Sequence, residues 1–129
     1  MNNQFDVIVV GAGAAGLMCS MEAGKRGKSV CLIEHTSKIA EKIRISGGGK
    51  CNFTNLYSDN NNFLSKNKHF CKSAFAKYTQ SDFVNLINKH GIEFHEKKLG
   101  QLFCNKSARE IINMLVSECE KQKVIINLD

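Results

Sequence analysis

Glycines at 11, 13 and 16, an acid at 34 and the run Ser46-Gly47-Gly48-Gly49-Lys50-Cys51-Asn52 are the residues whose types and spacing could do chemistry together. In GAGAAG (11–16), Gly11 permits a tight turn and Gly13 lets a pyrophosphate approach the backbone. Gly16 allows close packing of helix on strand, while Ala12, Ala14 and Ala15 add little bulk around a bound group. Phosphates then meet the unpaired N–H groups of a positive helix N-terminus. Glu34 lies 18 positions after Gly16, where a carboxylate can accept hydrogen bonds from both hydroxyls of an adenosine ribose and would repel a 2′-phosphate. His35 would border the same adenosine, although a lone His after a strand is more often an exposed turn residue. These residues point to an ADP-containing dinucleotide and leave FAD and NAD both open.

The second run, ISGGGKCNFTN (45–55), spends chain entropy on three successive glycines, which is useful where backbone must turn sharply or lie close to something bulky. It is not a phosphate-binding GxxxxGK[ST] loop, because Arg44 stands where the first glycine belongs and Cys51 replaces Ser or Thr. A redox-active disulfide would want a second cysteine nearby, and the next in sequence is Cys71. A second cofactor-contacting loop is left, with the backbone of Ser46 to Gly49 approaching a pyrophosphate or flat ring. Lys42, Arg44 or Lys50 would supply positive charge. The competing reading is a glycine hinge with solvated lysines.

The elements that must hold these residues follow from periodicity. FDVIVV (5–10) reads as a buried parallel strand, Ala14 to Lys25 as a small-residue helix broken at Gly27, and SVCLIE (29–34) as a second buried strand. Residues 1–35 are thus a βαβ unit. Residues 36–80 read as the glycine loop and a surface segment, mostly loop with short helical pieces, in which DNNNFLSKNK (59–68) is an exposed turn. Over 81–129 the pattern is helix-strand-helix-strand. A helix capped by Ser81 carries Phe83, Leu86 and Ile87 and ends at Gly91, and a strand over 92–97 leads to a turn at LGQLF. A capping box at Ser107/Glu110 opens a helix with the stripe Ile111, Ile112, Leu115, Val116 and Cys119, and a strand over 124–128 follows. The fold class is α/β.

Composition removes some functions. With 43 % apolar residues the chain is globular rather than disordered, and no apolar run reaches the roughly 20 residues of a membrane span. MNNQFDVIVVG has no basic leader ahead of its strand, so no signal peptide is expected. The six cysteines form no CxxC and no His sits at zinc-finger spacing from a pair, so metal is not expected. Cys19, Cys31 and Cys119 fall on apolar faces, as reduced thiols of a cytoplasmic protein do. The net charge of +6 comes from lysines that read as scattered rather than interleaved with aromatics, so no nucleic-acid partner is expected.

EKIRISGGGKCNFTN, behind GAGAAG, Gly27 and Glu34, resembles the signature of the BaiN-like flavoproteins, the NAD(P)/FAD-dependent and aminoacetone oxidase-like oxidoreductases. GIEFHEKKLGQLFCNKSAREII (91–112) is similar to the same family, and the resemblance covers essentially the whole chain. Lys50 stands where that family usually has Arg, Ala40 where Gly is common and Cys104 where many members have Pro. The resemblance implies FAD as cofactor, with NAD(P)H a candidate electron donor and the small-molecule substrate unknown. It implies a doubly wound FAD-binding Rossmann-like domain of the glutathione-reductase type, of which this chain would be an incomplete N-terminal part. Gly11 to Gly16 and Glu34 would hold the dinucleotide, and Lys42 and Ser46 to Asn52 would line the flavin side. Gln101 and Phe103 would face it too. A truncated non-catalytic remnant and an NAD-binding dehydrogenase domain are the alternatives.

Overall fold

A computed structural model describes residues 4–129. The leader reading of MNNQFDVIVVG rests partly on residues 1–3, which lie outside the described residues. Strand β1 (Val7–Val10), helix α1 (Ala14–Lys25) and strand β2 (Val30–Glu34) form the expected parallel βαβ unit, with Val7 opposite Val30 and Val10 opposite Ile33. Strand β6 (Ile125–Leu128) joins the far edge of β2, also parallel, giving the order β1-β2-β6. Helix α5 (Arg109–Lys121) packs beside α1 over this sheet and buries Leu17, Met21, Leu32, Leu115 and Cys119. Gly24 sets the approach of the two helices, since a Cβ there would lie 2.5 Å from the Gln122 Cβ.

Among the described residues, the helices packed on this sheet lie on that face. Ile8, Val10, Ile33 and Ile125 point from the other, and Val10 is 83 % exposed. The apolar run FDVIVV predicts a strand buried on both sides; such a run identifies the strand but cannot say which layers lie above and below it. Cys19 is likewise exposed, being off the Leu17/Ser20/Met21/Gly24 stripe of α1, while Cys31 and Cys119 are buried as expected.

Residues 35–80 hold the expected short helical pieces: α2 (Glu41–Ile45), a 3-10 turn at Ser46–Gly49, another at Asn60–Asn62, and α3 (Lys72–Lys77). They also hold a strand that the sequence pattern does not suggest. Strand β3 (Asn52–Asn55) pairs antiparallel with β5 (Gln101–Cys104), which pairs with β4 (Phe94–Glu96) to make a second sheet ordered β3-β5-β4. The LGQLF turn is therefore mostly strand. Its turn proper spans Lys98–Gln101, with Leu99 at φ 51° and Gly100 at φ 79°, closed by Gln101 N–H donating to the Lys98 carbonyl at 3.0 Å. Two successive positive φ angles define the type I′ hairpin turn, which favours Asn-Gly. Leu99→Asn is expected to raise stability by about 0.5–1 kcal/mol, read as a higher urea midpoint, because leucine is strained in the left-handed region that asparagine tolerates, and an exposed leucine gives up little packing.

Helix α4 (Gln80–Lys89) is capped by Thr79, two residues before the expected Ser81 cap. Thr79 and Asp82 form the capping box, Thr79 N–H donating to the Asp82 carboxylate at 2.7 Å and Asp82 N–H to the Thr79 hydroxyl at 3.3 Å. T-x-x-D was the signal, and Ser81 sits inside it. At α5 the expected Ser107/Glu110 box does not close: the Ser107 hydroxyl accepts from Arg109 N–H at 3.1 Å, and the Glu110 side chain turns away with one buried, unpartnered oxygen.

The end of α4 is fastened to α5 through a buried acid. Glu118 accepts from Lys121 Nζ at 2.6 Å and lies 2.7 Å from His90 Nε2. These two partners, Lys121 first, hold its pKa below the ordinary 4.5. A depressed folded-state pKa contributes stability that is present above about pH 4.5 and lost as pH falls through the folded value. Glu118→Gln is expected to cost about 1–3 kcal/mol at pH 7 and much less near pH 3, read by urea denaturation at both pH values.

Candidate functional site

The turn from β1 into α1 is built as GAGAAG predicts. Gly11 has φ 98°, and its N–H donates to the Ile33 carbonyl at 2.7 Å. Gly16 packs so tightly under it that a Cβ would run into the Gly11 carbonyl oxygen. Gly13, by contrast, would carry a Cβ into open space, and Gly13, Ala14 and Ala15 are all exposed. Among the described residues no side chain caps this helix, and no acid occupies its first turn. Four N-terminal N–H groups of any helix lack intrahelical partners, so this end faces open space with donors and positive potential. The dinucleotide cradle that the glycines predict fits the residues present.

Glu34 ends β2 beside that cradle. One carboxylate oxygen accepts from Ala12 N–H at 2.9 Å; the other accepts from Thr36 N–H at 3.1 Å and contacts His35 Nδ1 at 2.9 Å. The Ala12 bond, first among these, lowers the Glu34 pKa. The acid is thus ionised and oriented from the glycine loop itself, with lone pairs left for hydroxyl donors. His35 has its imidazole 90 % exposed and touches the site only through Glu34.

The second glycine run is tied to the first through Ala40, a buried residue at φ 54° whose N–H donates to the Ala12 carbonyl at 2.9 Å. From Ala40 the chain enters α2 and then the Ser46–Gly49 turn, where Gly47, Gly48 and Gly49 have φ of 56°, 64° and 83°. Gly49 accepts from Ala108 N–H at 2.8 Å, and the Ser46 hydroxyl donates to the Ile43 carbonyl at 2.8 Å. Phe103 on β5 braces the loop from below, stacked on His95 with ring centroids 6.2 Å apart. The loop is fixed at both ends and from beneath, unlike a solvated hinge.

Residues from both runs meet around one cavity of about 280 Å³, lined by Ala14, Lys42, Ser46, Cys51 and Asn52 and walled by Phe53. The cations divide differently from expectation. Lys50 Nζ donates to the Asn105 and Lys106 carbonyls at 3.0 and 2.6 Å, and Arg44 is paired with Glu41, so both charges are spent locally and Lys42 alone of the three lines the cavity. Asn52, with its amide nitrogen turned to the Leu102 and Thr54 carbonyls (3.2 Å each), works within the second sheet. Cys51, at φ 54°, sits across β3–β5 from Cys104, a neighbour that the sequence spacing hid. Burial pushes the Cys104 thiol up to about 12, with the proximity of Cys51 adding to it, and burial raises Cys51 as well. Both are protonated at neutral pH and suit packing rather than thiolate chemistry.

A parallel sheet with an open, uncapped helix N-terminus at its first crossover and an acid at the end of its second strand defines a Rossmann-like chain. Residues 5–129 match the family described as HI0933-like protein Rossmann domain, and the chain belongs to it. It is 58 % identical over 97 % of its length to the "Ribosomal RNA dihydrouridine synthase" of Escherichia coli (strain K12), covering 31 % of that protein. Identity to the protein of the same name from Haemophilus influenzae (strain ATCC 51907 / DSM 11121 / KW20 / Rd) is 51 % over 94 % of the chain and 30 % of the relative. The chain thus spans about a third of the length of the curated relatives it matches. Among solved structures, the 3-ketosteroid-delta4-(5alpha)-dehydrogenase of Rhodococcus jostii RHA1 superposes with a TM-score of 0.65 at 16 % identity, over 98 % of this chain and 38 % of that one; this likeness is one of fold. Among the described residues no helix is long and apolar enough to cross a membrane.

Proposed function

We propose that this chain is the FAD-binding N-terminal portion of a flavin-dependent oxidoreductase of the BaiN-like kind, and that the whole enzyme reduces the 5,6 double bond of a uridine in ribosomal RNA. The observation carrying the substrate is the 58 % identity over nearly the whole chain to a ribosomal RNA dihydrouridine synthase. This departs from the sequence expectation of a small-molecule substrate and no nucleic-acid partner. FAD, when bound, supplies the hydride chemistry, with NAD(P)H as the reductant that recharges it.

What this chain's own residues do is hold and orient. N–H groups of Gly13 to Gly16 receive the pyrophosphate at the open end of α1, and Glu34, steadied by Ala12, accepts from the ribose hydroxyls. Lys42 and the backbone of Ser46 to Gly49 line the path beyond, over the cavity that both runs share.

FAD titrated into the purified chain is expected to quench its own fluorescence and raise the melting temperature, with NADH giving neither effect. Stabilisation by NADH alone would instead support a nicotinamide-binding domain. For the substrate, cells lacking the gene are expected to lose a dihydrouridine from ribosomal RNA, mapped by borohydride-dependent primer arrest. An unchanged modification pattern would overturn the RNA assignment.

A further inference from the structure

Residues 57–78 are not used by the cofactor site, and they carry an unusual charge and surface. Lys66, Lys68, Lys72 and Lys77 fall within residues 60–78, a stretch with no Asp or Glu, so four of the chain's net six positive charges sit there. The lysines scattered elsewhere are offset by acids; these are not. Among the described residues none of the four is paired with a carboxylate. Residues 61–70 are exposed without a break.

Aromatic and apolar side chains are interleaved with those lysines. Tyr57 is 69 % exposed, Leu64 95 % and Phe70 64 %. The segment is nevertheless a built structure. Phe63 packs on Phe75 with centroids 5.1 Å apart, and Cys71 is buried with its thiol toward the Asn60 carbonyl at 3.6 Å. An Asp59/Asn62 capping box fixes its start. The folded arm pairs two of its rings with each other and presents others outward among unpaired ammonium groups.

That combination is what a single-stranded nucleic acid recognises: cations for phosphates and exposed ring faces on which unstacked bases settle. We infer that the 57–78 arm is a docking surface for a single-stranded segment of RNA, with Lys66, Lys68 and Lys72 on phosphates and Phe70 stacking a base. The inference rests on the ribosomal RNA reading above and adds to it the surface that grips the substrate. A bare acidic polypeptide would satisfy the lysines but would leave the outward rings without partners.

Fluorescence anisotropy of the purified chain with a fluorescein-labelled 12-nucleotide single-stranded RNA, across a salt series, tests it. Lys66→Ala/Lys68→Ala/Lys72→Ala is expected to weaken binding at least tenfold and to flatten the slope of log K against log salt by about 2, from about 0.7 per lost contact on a single strand. Phe70→Ala is expected to weaken binding about fivefold or more with the slope unchanged. Lys28→Ala/Lys89→Ala/Lys123→Ala, removing the same charge elsewhere, is expected to bind as the parent does. Equal losses in both triple variants, or no binding by the parent at 50 mM salt (roughly a 14 Å screening length), would overturn the inference, as would displacement of the RNA by polyglutamate from the parent and Phe70→Ala alike. Dihydrouridine mapping separates this from the parent reading. If gene removal abolishes the modification but the arm triple variant restores it in full, the arm is wrong and the substrate stands.

Discussion

Gly16→Ala is expected to destabilise the chain by more than about 3 kcal/mol, seen as a fall of about 10 °C or more in melting temperature, and to abolish nucleotide binding with it. The added methyl has no room: it would overlap the Gly11 carbonyl oxygen, with the Gly11 carbonyl carbon 3.1 Å and Leu32 Cδ1 3.5 Å away. A flexible side chain could swing aside, but the obstacle is backbone. That backbone is anchored, because Gly11 N–H is bonded to Ile33 in the neighbouring strand. Relief therefore requires α1 to lift from the sheet, exposing Leu17 and Met21, which are buried. Gly13→Ala is the control. Its Cβ would meet nothing within 4 Å and its φ of −83° suits any residue, so stability should change by less than about 0.5 kcal/mol. Nucleotide affinity should still fall, since the methyl occupies the space the pyrophosphate needs. Equal stability of the two variants would remove the packing role assigned to Gly16.

The first glycine motif was legible because its whole mechanism is local. Turn, helix start and following strand lie within residues 7–34, and the apolar runs that flank them are unambiguous. The second sheet was not legible, for a physical reason. Strand β3 is NFTN, with no apolar alternation of its own, and its partner β5 lies some fifty residues on. Such a strand is specified by the pairing rather than by its sequence. The same separation hid the Cys51–Cys104 proximity and the use of Lys50 on the Asn105 and Lys106 carbonyls. Lys50 keeps its charge close to the loop, yet as a clamp on the turn before α5 rather than as a free phosphate ligand. The lysines of residues 60–78 stand out only locally: over the whole chain they read as scattered, and it is the lack of acids within that stretch that sets them apart. Helix faces, by contrast, follow from period 3.6 alone: of the expected α5 stripe, Ile111, Leu115 and Cys119 are buried and Ile112 and Val116 half-buried beside them.

Within the triple glycine, Gly47→Ala is expected to cost about 2–4 kcal/mol and Gly48→Ala only about 1 kcal/mol, measured by urea denaturation. Both have left-handed φ, so both substitutions carry that strain. They differ in what the new methyl meets. At Gly47 it would lie 2.8 Å from the Asn52 amide nitrogen and 2.8 Å from Phe103 Cε1, whereas at Gly48 it would enter open space. Phe103 has little freedom to yield, being buried, stacked on His95 and covered by Lys97 Nζ at 5.3 Å from its ring. The loop could move instead, but then the Gly49–Ala108 bond and the Lys50 clamp would have to open. Gly48 meets no such opposition, and its open side is the one a flat ring or pyrophosphate could approach. Flavin affinity should thus fall in both variants, through loop displacement in Gly47→Ala and through a methyl in the ligand's space in Gly48→Ala. A Gly48→Ala protein as unstable as Gly47→Ala would mean that left-handed strain alone governs this loop and that Phe103 does not brace it.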